Sequence, residues 1–152
     1  MNRPFLDTSI LIGGLIDFGE TSRAPIELLD RIAEGHIAEP ATAWHCCLEF
    51  YSVTTRLPEE YRLPPETAKA FVLEEIVKRL SICALDPVSH EIFLTNAARQ
   101  GIRGGRIYDF HIGSIALKAN ASVIITENKK HFSNFENTGT PVLNAQEFLR
   151  AL

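Results

Sequence analysis

The sequence predicts an α/β fold, a three-layer α/β/α domain in which helices cover both faces of a central, mostly parallel sheet of about five strands. Short apolar runs bounded by turn residues recur along the chain, and each is followed by a stretch whose apolar residues keep a helical spacing. No repeat, linker or low-complexity segment interrupts that alternation. With 152 residues, 45% of them hydrophobic, the chain has the size and composition of one domain with its own core, so residues 1–152 are expected to fold as a unit.

Pro4-Phe5-Leu6-Asp7 reads as a short buried strand, and Thr8 or Ser9 can cap the apolar helix that follows to Ile16. Ile26, Leu28, Leu29, Ile32 and Ala33 keep a helical period over residues 22–34, with Gly35 as its stop. A short strand is expected at residues 36–39. Pro40 and Thr42 then open a helix to about Arg56, with Trp44, Leu48, Tyr51 and Val53 among its inner positions and Glu49 at its middle. Pro58, Pro64 and Pro65 break the chain before a helix at 66–79, and residues 82–85 form the next strand. Pro87 starts a helix to Gln100, and Gly101, Gly104 and Gly105 bracket a basic loop that ends at Arg106. Asp109 opens a helix reaching Ala119. Residues 123–126 form a buried strand, 128–132 a turn or short helix, 142–143 the last strand and 145–152 a closing helix.

The net charge of -4 argues against a protein that coats nucleic acid through summed cationic contacts. The distribution is uneven. Residues 1–98 hold 8 Lys and Arg against 15 Asp and Glu, whereas residues 99–131 hold 6 basic residues against 2 acidic ones. A basic segment on a generally acidic chain can hold a polyanion locally, although a solvated helix face and loop would look the same. Three cysteines, two of them adjacent at Cys46 and Cys47, form no disulfide framework and match no zinc-ligand spacing, so they read as reduced packing residues. The longest apolar run, near Ser9 to Ile16, is too short for a bilayer, and the first residues lack signal-peptide features. A cytoplasmic protein without a membrane partner is expected.

Three acids sit in mostly apolar surroundings: Asp7 in Phe5-Leu6-Asp7-Thr8-Ser9, Glu49 in Leu48-Glu49-Phe50, and Asp109 in Ile107-Tyr108-Asp109-Phe110. Buried carboxylates are costly unless paired or bound to a cation, so a fold that gathers them makes a metal site. Oxygen-only ligands suit Mg²⁺ or Mn²⁺, which share phosphate oxygens with a substrate and activate water. In an open parallel sheet, ligands lie beyond the carboxyl ends of the strands. Asp7 ends the first strand and Thr126-Glu127-Asn128 ends the fourth, so both point to one edge. Asp109 joins them if the amino end of its helix packs there.

Phe5-Leu6-Asp7-Thr8-Ser9, Leu48-Glu49-Phe50, Arg106-Ile107-Tyr108-Asp109-Phe110-His111-Ile112 and Ile124-Ile125-Thr126-Glu127-Asn128-Lys129-Lys130-His131-Phe132 together resemble the four ordered motifs of the PIN domain, particularly its VapC-type toxin ribonucleases. The resemblance covers essentially the whole chain. It implies a metal-dependent endoribonuclease with Asp7, Glu49 and Asp109 as the catalytic, metal-binding acids, supported by Thr8, Thr126 and Asn128. It also implies Mg²⁺ or Mn²⁺ as cofactor, RNA as substrate, a homodimer, and inhibition by a cognate antitoxin. Many relatives carry an aspartate where this chain has Asn128. An amide brings no charge, so a second metal would be held more weakly. Arg103, Arg106, Lys129 and Lys130, whose loops adjoin the acidic motifs, are the expected RNA contacts.

Structural alternatives stand beside these roles. Asp7 and Asp109 can each be acids favoured by a helix dipole, Glu49 can be neutralised by Arg56 or Lys69, and Asn128 can be a turn residue. His111 and His131 read as packed or solvent-exposed. Two rival functions remain: a catalytically weakened module that binds RNA or protein, and a metal phosphohydrolase acting on DNA.

Overall fold

In the computed structural model, which describes residues 3–152, five short strands pair entirely in parallel. They are β1 (Pro4–Leu6), β2 (Ala41–Ala43), β3 (Ser81–Cys83), β4 (Val123–Ile125) and β5 (Val142–Leu143), in the order β3-β2-β1-β4-β5. Phe5, Leu6, Ile124 and Ile125 are fully buried, as continuous apolar runs must be when helices cover both faces of a parallel sheet. The register sets Leu6 beside Ile125, so the chain leaves β1 and β4 side by side.

The helices are α1 (Thr8–Leu15), α2 (Arg23–Ala33), α3 (Trp44–Thr54), α4 (Pro65–Ala70), α5 (His90–Arg99), α6 (Arg106–Lys118) and α7 (Ala145–Arg150). α1 packs on α2 and α3, α2 on α7, and α3 on α4. On the other side of the sheet, α6 packs on α5 and on a 3-10 segment, Lys129–Thr138. Two glycines permit the closest approaches. A Cβ on Gly14 would lie 2.7 Å from Leu29 Cγ and 2.9 Å from the Pro25 carbonyl oxygen, and one on Gly113 would lie 2.2 Å from the Phe135 ring. Among the described residues no helix is long and apolar enough to cross a membrane.

The mostly parallel sheet of five strands is as predicted, but several boundaries move. The strand expected at 36–39 lies instead at Ala41–Ala43. Gly35 and Glu39 take positive φ values of 79° and 46°, which turn the chain, and the strand begins only after Pro40. Ala-Thr-Ala carries little β signal of its own. It becomes a strand because small residues fit a central, fully buried position, where the Thr42 hydroxyl donates to the Leu6 carbonyl at 2.7 Å. α3 accordingly begins at Trp44, and α6 begins at Arg106, three residues before Asp109. The helix expected at 66–79 starts at Pro65 as α-helix and becomes π-helical over Phe71–Val77.

The inward face of α3 also differs from expectation. Cys46, Cys47, Phe50 and Thr54 are buried, whereas Trp44, Leu48 and Tyr51 are 46%, 56% and 40% exposed. Both sets keep a helical spacing, so periodicity alone cannot choose between them on a helix apolar around most of its girth. Leu28, Val72 and Ile76 are buried, whereas Leu73 beside them is 47% exposed.

Candidate active site

The crossovers leave β1 and β4 in opposite directions, and the gap beyond their carboxyl ends is the topological switch point where such sheets bind ligands. Asp7 and Thr126, the first residues past those strands, meet there. The Asp7 backbone N–H donates to the Ile125 carbonyl at 2.9 Å, and the Thr126 hydroxyl donates to Asp7 Oδ2 at 2.7 Å. Asp7, rather than Thr8 or Ser9, is the N-cap of α1, with φ -76° and ψ 162°. The helix-cap reading and the site reading therefore describe the same residue.

Asp7 is 3% exposed, and its two oxygens have unlike surroundings. Oδ2 accepts from Thr126, from the Ser9 hydroxyl at 2.9 Å and more weakly from the Ser9 N–H at 3.4 Å. Oδ1 is buried without a hydrogen-bond partner. Burial raises the affinity of this carboxyl for a proton. The bonds from Thr126, Ser9 and the Thr8 backbone oppose the rise, and the nearby Glu49 charge adds to it.

Glu49 reaches the same place from the middle of α3, where its Oε1 accepts from the Thr8 hydroxyl at 2.5 Å. Asp109 comes from the first turn of α6, half-buried, with Oδ2 3.2 Å from His131 Nδ1. Burial and then the charge of Asp7 raise its proton affinity, His131 opposes, and Glu49 adds a smaller rise. A 2.8 Å contact between the Nδ1 atoms of His45 and His111 ties α3 to α6 beside these two acids. Neither Arg56 nor Lys69 pairs with Glu49; Lys69 is bound to Glu66. Asp7, Glu49 and Asp109 line one cleft of about 640 Å³, together with Thr8, Asn128 and His131.

The donor set, all oxygen with one buried carboxylate atom left unpaired, fits a hard divalent cation. Among the described residues, however, no three His, Cys, Asp or Glu side chains already stand as a ligand cluster. Glu49 is held by Thr8 and Asp109 by His131, so the acids share a cleft without converging on one point.

Asn128 is exposed on the cleft wall, and its N–H donates to Thr126 Oγ1 at 3.0 Å. The neighbouring Glu127 carboxylate accepts from the Ala145 N–H at 2.9 Å, at the start of α7. Of the expected RNA contacts, Lys129 is paired with Glu147 at 2.9 Å, and Arg106 is 3.5 Å from the Asn134 side-chain oxygen. Arg103 and Lys130 are exposed, with no ion pair among the described residues. Sequence reasoning missed Ser9, whose hydroxyl bonds Asp7 and accepts from the Glu127 N–H at 2.9 Å, and it left His131 unassigned. The only sequence signal for Ser9 was a hydroxyl two residues after the acid.

The chain matches the model of the PIN domain over residues 5–137 and belongs to that family. Among curated proteins it is similar to Ribonuclease VapC40 of Mycobacterium tuberculosis, with 28% identity over 130 residues, covering 86% of this chain and 90% of that protein. Among solved structures it shares its fold with DNA-bound VapBC from Salmonella typhimurium, with a TM-score of 0.63, 21% identity, and coverage of 95% of this chain and 99% of that one. It is also similar to Mycobacterium tuberculosis VapC20, described as a sarcin-ricin loop cleaving toxin, with a TM-score of 0.58 and 14% identity over 80% of this chain and 86% of that one.

Proposed function

We propose that this chain is a VapC-type endoribonuclease that hydrolyses RNA phosphodiesters with the help of Mg²⁺ or Mn²⁺, and that it serves as the toxin of a toxin-antitoxin pair. The observation that carries the reading is Asp7 Oδ1, a buried carboxylate oxygen with no partner in a cleft shared with Glu49 and Asp109. The ribonuclease relative supports the choice of RNA. Asp7, Glu49 and Asp109 would hold the cation, with the Asn128 side chain able to contribute a neutral oxygen. The cation supplies water activation and stabilises charge on the phosphate undergoing attack.

The chain's own residues prepare that chemistry. Thr126 and Ser9 occupy Asp7 Oδ2 and so fix the carboxylate with Oδ1 free. Thr8 orients Glu49, and His131 orients Asp109. Lys130, which lines a hollow with Asn128 and His131, and the exposed Arg103 would meet the strand's phosphates. Products would carry a 5′-phosphate and a 3′-hydroxyl. An RNA substrate and an antitoxin partner would suit a cytoplasmic protein, and an antitoxin segment would cover the acidic cleft. A homodimer is supported by Trp44, Leu48 and Tyr108, exposed around a shallow hollow whose lining carries one acid, Glu49, and one base, Arg56. A second copy would meet no excess of like charge there.

The test compares wild type, Asp7→Asn and Asp109→Asn on single-stranded RNA, single-stranded DNA and a generic phosphate ester, in Mn²⁺ and in chelator. Metal-dependent RNA cleavage by wild type that either variant abolishes supports the proposal. Full cleavage by both variants, or preference for DNA or the ester, refutes it. RNA binding without cleavage would favour the weakened-module reading.

A further inference from the structure

We infer that the cleft has two unlike ends and that the apolar end is a nucleobase subsite, where one unpaired base stacks on Phe18 while its phosphate lies among the acids. This rests on the nuclease reading above and adds to it a place for the base. One continuous cavity of about 640 Å³ is lined by Asp7, Glu49 and Asp109 and also by Ile12, Phe18 and Pro25. That volume lies in the range of small-molecule pockets, about 300–1,000 Å³, and exceeds what a carboxylate-bound ion needs.

Phe18 is held in place before anything binds. Its N–H donates to Ser22 Oγ at 2.9 Å, and the Ser22 hydroxyl donates to the Ile16 carbonyl at 3.0 Å. Ser22 is fully buried, so this clamp is shielded from water. The chain turns at Gly19, where φ is +98°, a value that favours glycine. The ring of Tyr61 braces Phe18, with centroids 4.8 Å apart and planes inclined by 58°. Phe18 is nevertheless partly exposed on the cavity wall.

An aromatic ring on an anchored backbone, braced by a second ring and left partly open, is the platform on which single-stranded RNA bases stack, whatever their identity. The cavity matches a nucleotide at both ends. A phosphate with its cation neutralises the acids, and a flat base covers the ring. An apolar peptide side chain would use the ring alone, and a peptide filling the acidic end as well would need a cationic side chain beside it.

The test is a cycle between protein and strand. Wild type, Phe18→Ala, Phe18→Leu and Phe18→Tyr are assayed on a single-stranded RNA octamer and on versions carrying one abasic nucleotide at each position in turn. kcat/KM is measured in Mn²⁺, and binding is followed by fluorescence anisotropy in chelator. Removing the base at one position should cost wild type roughly five- to a hundred-fold in kcat/KM. Phe18→Ala and Phe18→Leu should lose the same factor on the intact strand and be indifferent to that abasic position, whereas Phe18→Tyr should behave as wild type. Leucine keeps the bulk without the ring, so a folded Phe18→Leu protein with wild-type kcat/KM would overturn the stacking role and leave Phe18 as an apolar wall or a protein-docking residue. Losses that multiply independently would overturn it too, as would a wild type indifferent to every abasic position. These results leave the nuclease reading intact. A wild type that cleaves no RNA sinks the nuclease reading itself.

Discussion

Replacing Asp7 by asparagine should make the metal-free protein more stable while removing its metal response. The substitution keeps an oxygen to accept from Thr126 and Ser9 and removes a buried charge whose other oxygen has no partner. Leaving a buried polar atom unsatisfied costs about 1–3 kcal/mol, and more when it is charged. The new amide nitrogen takes the buried place of Oδ1 and is likewise without a partner there, so the gain comes from the lost charge and not from a restored hydrogen bond. The net gain near neutral pH is the extra cost of burying a charged rather than a neutral unpaired atom, on the order of 1 kcal/mol, which for a chain of this size raises Tm by roughly 2–4 °C. Because burial raises the Asp7 pKa in the folded chain, its contribution is most favourable below the unfolded carboxylate value and is lost as pH rises through the folded value. Asp109, raised first by burial and then by Asp7, slopes the same way. Thermal melts in chelator from about pH 4 to about pH 8 should thus show the variant's advantage growing with pH. Added Mn²⁺ should raise the wild-type Tm, by about 2.7 kcal/mol in stability at a hundred times Kd, and leave the variant unmoved. A variant less stable than wild type at neutral pH, or one with an unchanged pH slope, would refute the reasoning.

Thr126→Val removes the 2.7 Å donor to Asp7 and the acceptor for the Asn128 N–H, so urea denaturation should show a loss of about 1–3 kcal/mol. Gly113→Ala drives a methyl group into the Phe135 ring at 2.2 Å and should cost about 1–3 kcal/mol by the same measurement. Asn128→Asp adds a charge to the cleft wall and should tighten Mn²⁺ binding measured by calorimetry, the effect falling on a second ion if one binds. Lys130→Gln should lower the slope of log K against log salt for a single RNA strand by about 0.7, whereas Lys129→Gln, already paired with Glu147, should lower it less.

Much of the site was readable because its chemistry conflicts with its surroundings. Asp7 and Asp109 interrupt apolar runs, and Glu49 lies mid-helix, where neither capping nor a dipole explains it. The residues that hold these acids were less visible. Ser9 and His131 are ordinary residue types until the fold sets one beside Asp7 and the other 3.2 Å from Asp109. Phe18, in a turn between two helices, carried no sequence signal at all.

By itself the sequence determined the alternation of strands and helices, the parallel sheet and the choice of three acids that line one candidate cleft, because apolar periodicity and a charge among apolar neighbours are local properties. Only the tertiary structure decided which face of α3 turns inward, that Ala41–Ala43 is a central strand, and that one oxygen of Asp7 is left without a partner. Those outcomes depend on which surfaces meet across the sheet, and side-chain packing and hydrogen-bond satisfaction between distant segments cannot be read from the spacing of residues along one of them.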